Sequence, residues 1–158
     1  MSFGQSFQIT PVIMLRAAAA IVNGGKLVTP HFAVKAAGAD GETVQEFCYE
    51  TVTHAITEET SNTMKDILRQ FVEDGGGKNA YIEGFSIGGK TATSQKLPRG
   101  SGKYIASFVG FSSVDNPRVI AMCLIDEPQG VYYGGTIAAP VIRELFENIL
   151  PYLEIYPN

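Results

Sequence analysis

Between Gly84 and Lys96 the sequence reads GFSIGGKTATSQK, which places one lysine, Lys90, beside hydroxyl side chains at alternate positions, Thr91 and Thr93. Two chemistries fit. Counted from Gly84 the stretch satisfies G-x-x-x-x-G-K-[ST], the loop whose backbone amides cradle nucleotide phosphates. Read instead as a strand from Lys90, it puts Thr91 and Thr93 on one face and Ala92 on the other. Two hydroxyl donors with an ammonium beside them replace the water that a carboxylate loses on binding. A backbone N–H of such a strand can also point at an oxygen that becomes negative during acyl transfer.

The phosphate loop works only where a helix begins directly after its Lys-Thr pair. Here the following residues, TATSQKLPRGSG, are small or β-branched and then carry Pro98, Gly100 and Gly102, so a helix of useful length is not expected. The acidic end of VIAMCLIDE, at Asp126 and Glu127, resembles the magnesium-holding strand of nucleotide hydrolases. The topology disagrees: strands are predicted over Phe85–Gln95, Tyr104–Ser112 and Val119–Ile125, and the joins between them are too short for the crossover that a parallel pair needs. Three antiparallel neighbours are expected.

The elements around them are legible from their punctuation. Thr10 and Pro11 open a helix through VIMLRAAAAIV that Asn23-Gly24-Gly25 closes. Two β runs, KLVTPHFAVKAAG and ETVQEFCYETVTHAI, flank an Asp40-Gly41 turn. Thr57 caps a second helix with Met64, Ile67, Leu68, Phe71 and Val72 at helical spacing, ended by Gly75-Gly76-Gly77. A closing helix from about Ala138 carries Val141, Ile142, Leu145, Phe146 and Ile149 on one face. The fold class is therefore α+β, an antiparallel sheet with flanking helices.

The chain has 158 residues and a net charge of -4, with 12 basic residues scattered along it. That is the length of one domain, and nucleic acid is excluded as a partner. No window is long and apolar enough for a membrane helix and no secretion signal opens the chain, so it is expected to be soluble as it stands. His31 and His54 have no partner at ligand spacing, so neither a metal nor a cofactor is expected. Cys48 and Cys123 lie in apolar runs and are read as buried thiols.

On Lys90, Thr91 and Thr93 alone, an ordinary edge strand with a solvated lysine explains the stretch equally well. Four blocks go further: FGQSFQITPVIMLRAAAAIVNGGKLVTPH, GGKNAYIEGFSIGGKTATSQK, ASFVGFSSVDNPRVIAMCLIDEP and YYGGTIAAPVIRELFENIL. In this order, from Phe3 to about Leu153, they resemble the C-terminal half of the transpeptidase domain of high-molecular-weight (class B type) penicillin-binding proteins. These are the bacterial peptidoglycan D,D-transpeptidases, with the fold shared by serine β-lactamases.

The resemblance implies roles. Lys90 would set the electrostatics of the site and contact the serine hydroxyl of a neighbouring S-x-N loop. Thr91 and Thr93 would bind the carboxylate of a stem peptide or β-lactam, and the Thr93 backbone N–H would form half of the oxyanion hole. The family's nucleophilic serine and its lysine base lie on an S-x-x-K helix. That motif has no convincing match here, and the lone Ser61-Asn62 falls inside the capped helix. Residues 1–158 are thus expected to be one partial domain, inactive alone, with the missing N-terminal half of the domain or a second copy as partner. The parent protein would sit at the bacterial cell membrane facing the extracytoplasmic space. Ala92 departs from the family's usual glycine. A non-catalytic binding or assembly module reusing this half-fold is the alternative from another class.

Overall fold

Proline's fixed φ and missing N–H suit the first turn of a helix, and in the computed structural model, which describes residues 8–157, Pro11 opens helix α1 (Pro11–Val22). Thr10 occupies the cap position with extended backbone, but its hydroxyl makes no capping bond. Helix α1 is apolar except for Arg16, and Val12 and Ile13 remain exposed. A two-stranded arm follows, β1 (Lys35–Ala37) with β2 (Thr43–Glu46), and then helix α2 (Glu58–Glu73). Thr57 caps α2 as its sequence predicts, its hydroxyl accepting from the Thr60 N–H at 3.1 Å.

Ser61 joins the two helices. It is fully buried, donates to the Ile21 carbonyl at 2.7 Å and accepts from the Gly24 N–H at 3.0 Å. A buried hydroxyl with both partners met is a structural tie.

The second half is a three-stranded sheet of β3 (Ile87–Gln95), β4 (Tyr104–Ser112) and β5 (Val119–Asp126), in sequence order and antiparallel throughout. A short helix α3 (Gly134–Ile137) leads into α4 (Ala139–Tyr152). Side chains alternate across the sheet. One face presents Phe108, Ala121 and Cys123 to Ile142, Phe146 and Leu150 of α4, where the main core forms. The other presents Val109, Phe111, Ile120 and Met122 toward α1 and α2, across an apolar cavity of about 410 Å³.

Three expectations are corrected. The long β runs pair regularly over only three and four residues, with one further bridge between Leu27 and Val52. Pro30 cannot donate to a ladder, and no third strand adjoins the arm among the described residues. Cys48 stands on that arm and is exposed, while Cys123 is partly buried. On α4 the buried stripe is Ile142, Phe146 and Leu150, whereas Val141 and Leu145 are exposed. Among the described residues no helix is long and apolar enough to cross a membrane, and no cluster of possible metal ligands occurs.

Candidate active-site strand

Strand β3 is extended through Gln95, so no helix starts at Thr91 and the phosphate-loop reading falls. Just before the site, Gly88 and Gly89 let the strand lie against the core. A Cβ on Gly88 would enter the Phe111 ring, and one on Gly89 would come within 2.7 Å of the Val109 carbonyl.

The register decides where the backbone of β3 points. Thr91 lies opposite Phe108 and Thr93 opposite Ala106, and beyond the strand's end the Lys96 N–H bonds the Lys103 carbonyl at 2.8 Å. In an antiparallel ladder, bonded pairs recur at every second residue. Counting back, Ser94, Ala92 and Lys90 face β4, and Thr91 and Thr93 turn their N–H and C=O groups to the open edge of β3. No strand pairs with that edge among the described residues. The Thr93 amide, predicted as an oxyanion donor, is therefore directed outward.

Alternation puts Lys90 and Ala92 on one face and the two threonine side chains on the other. Lys90 is exposed. Its ammonium donates to the Thr91 carbonyl at 2.9 Å and lies 4.7 Å from the centre of the Phe71 ring of α2. Its charge is thus held beside the strand edge on a backbone acceptor and an aromatic face.

The start of α3 borders the threonine face. The Gly134 N–H donates to the Thr93 hydroxyl at 3.1 Å. One residue further on, the Gly135 carbonyl accepts from the Asn79 amide at 2.7 Å. Asn79 lies on a 3-10 turn, Lys78–Ala80, that follows the Gly75-Gly76-Gly77 break. Sequence reasoning singled out none of Phe71, Asn79, Gly134 and Gly135 as site residues. The one available signal was the adjacent glycine pair, which permits close backbone approach.

Beyond β3 the strand ends are tied by charge. Lys96 reaches Asp126 at 3.0 Å and Glu127 at 2.8 Å, and Lys103 reaches Glu127 at 3.0 Å. The hydrogen bonds from Lys96 and Lys103 hold the Glu127 carboxyl below the ordinary carboxylate range. Those to Glu127 and Asp126 raise the Lys96 ammonium above its usual value. Beside this network Tyr104 stacks on Tyr132 with ring centres 4.0 Å apart, and Tyr132 leans on Tyr133 at 4.7 Å. Asp126 and Glu127 thus pair with lysines across the ends of the strands.

Residues 1–147 match the family model described as the penicillin binding protein transpeptidase domain. The chain belongs to this family. Among relatives of the penicillin-binding transpeptidases, stage V sporulation protein D of Bacillus subtilis is 36% identical over 99% of this chain, and the Probable peptidoglycan D,D-transpeptidase PenA of Neisseria flavescens is 32% identical over 100%. This chain spans 25% of the first and 38% of the second. Penicillin-binding protein 3 of Mycobacterium tuberculosis, solved in complex with aztreonam, matches with a TM-score of 0.84 and 26% identity, covering 98% of this chain and 38% of that one.

Against the penicillin-binding transpeptidase pattern, Ala92 stands where glycine is usual. Its methyl lies on the exposed side of β3 and borders the apolar cavity together with Ser107, Val109 and Met122. Nothing within the described residues presses on it, so the departure bears on whatever covers that face.

Proposed function

We propose that this chain is the substrate-binding wall of a D,D-transpeptidase that cross-links peptidoglycan stem peptides through a serine acyl-enzyme. The observation that carries the reading is the open edge of β3: outward amides at Thr91 and Thr93, two hydroxyls on one face, and the Lys90 ammonium alongside. An extended peptide can add to such an edge as a further strand, with its terminal carboxylate taken by the threonine hydroxyls. Thr93 contributes its amide to the oxyanion hole, and Lys90 orients the proton relay. The serine nucleophile and its lysine base come from an S-x-x-K helix outside the residues given.

The apolar face supports the same assignment. Helix α1 is apolar except for Arg16 and such a helix is expected to be largely covered, yet it exposes Val12 and Ile13, and the 410 Å³ cavity beside it is lined mostly by apolar side chains. In this reading the serine-bearing part of the domain covers that face, and the complete protein works on the outer side of the bacterial membrane. The ligand is a stem peptide ending in a free carboxylate or a β-lactam that imitates it.

A fluorescent penicillin tests the proposal. The chain alone stays unlabelled, and the same chain continued N-terminally through an S-x-x-K helix is labelled at that serine. Covalent label on the chain alone, or none on the longer protein, contradicts it.

A further inference from the structure

We propose that Asn79 is a positioning residue that, through the Gly134–Gly135 step, fixes the Thr93 hydroxyl as a hydrogen-bond donor and so makes the site select a carboxylate over a neutral carboxamide. The inference rests on the reading of β3 as the carboxylate-binding strand and assigns that selectivity to residues outside the strand.

A threonine hydroxyl has one proton and two lone pairs. The Gly134 N–H occupies a lone pair of the Thr93 oxygen at 3.1 Å. A backbone N–H cannot accept, so the hydroxyl proton is left to point at another acceptor. A carboxylate offers only acceptors and takes that proton in a charge-assisted bond; a carboxamide is uncharged and offers two donors in place of one oxygen, so it gains less from the same hydroxyl.

The Gly134 backbone lies close against its neighbours. A Cβ at this position would run into the Ser107 carbonyl and meet the Ala92 carbonyl, so the backbone here lies directly on β3 and β4. A Cβ at Gly135 would come within 2.8 Å of the Gly76 carbonyl, which places the step between the sheet and the glycine turn after α2. Within that slot the Asn79 side chain donates to the Gly135 carbonyl at 2.7 Å. Asn79 is exposed, so its loss removes an orientation and opens no core cavity.

The experiment titrates the ¹⁵N-labelled chain with N-acetyl-D-alanyl-D-alanine and with the same dipeptide as its C-terminal carboxamide, for the wild type, Asn79→Ala and Asn79→Asp. The wild type is expected to prefer the acid by roughly tenfold, the size of a charge-assisted hydrogen bond, with the Gly134 amide signal moving on binding. Both variants are expected to lose most of that preference through weaker acid binding, with carboxamide affinity unchanged. Equal weakening toward both ligands would mark Asn79 as merely structural and overturn the inference, as would an unchanged preference. Should the variants not fold, a wild-type Gly134 amide that exchanges with solvent as fast as an unbonded loop amide overturns it independently. A wild type that binds neither ligand refutes the strand reading itself, and the inference with it.

Discussion

The Lys90 ammonium lies 4.7 Å from the centre of the Phe71 ring while donating to the carbonyl of its neighbour Thr91 at 2.9 Å. The last turns of α2 are thereby linked to the exposed edge of β3, and the positive charge is kept where a ligand's anionic end would arrive. Lys90→Met should leave the melting temperature nearly unchanged, since the side chain is exposed and a cation–π contact at such a site contributes about 0.5–1 kcal/mol. It should weaken carboxylate binding at least about tenfold. Thermal melts paired with ligand titration check both halves.

Gly88 and Ala92 make unequal predictions on one strand. Gly88→Ala drives a methyl into the Phe111 ring and should cost about 1–3 kcal/mol, read as a lower urea midpoint. Ala92→Gly, which restores the family's usual residue, removes an exposed methyl. It should cost no more than about 0.5–1 kcal/mol, from the greater backbone entropy of glycine.

Acid stability should depend on Glu127. Its carboxyl is held below the usual range by Lys96 and Lys103, so its contribution is present above the unfolded carboxylate pKa of about 4.3 and is lost as pH falls through the lower folded value. The raised Lys96 ammonium works in reverse: its share is complete below the unfolded lysine value and disappears as pH rises through the folded one. Glu127→Gln should therefore flatten the acid side of a melting-temperature profile and weaken the alkaline side.

The apolar face between α1, α2 and the sheet, with Met14, Ile21, Val109 and Met122 around it, should make the isolated chain self-associate. Light scattering over a concentration series should show the mass rising, and Met122→Lys should return it to that of a monomer. A wild-type chain that stays monomeric at every concentration would favour a self-sufficient binding module instead.

The hairpin sheet was legible because its signals are local. Tyr104–Ser112 is bounded by turn residues on both sides and was placed to the residue, and β3 and β5 differ from expectation only at their ends. Thr57 and the glycine run likewise marked α2 from within a few positions. What stayed hidden depends on partners distant in sequence. Asn79 meets Gly135 across 56 positions, and Gly134 meets Thr93 across 41. Cys48 reads as a core residue because its neighbours are apolar, yet the arm that carries it finds no layer to pack on among the described residues. Val141 and Leu145 keep helical periodicity on a flank of α4 that nothing described here covers.

The central claim is that the outer edge of β3 grips an anionic peptide end. A crystal structure of the chain with N-acetyl-D-alanyl-D-alanine at millimolar concentration tests it most directly. The account predicts the terminal carboxylate within about 3 Å of the Thr91 and Thr93 hydroxyls, with the dipeptide running along β3 and bonded to its outward backbone groups. A dipeptide seated in the apolar cavity, or density nowhere along that edge, would contradict it.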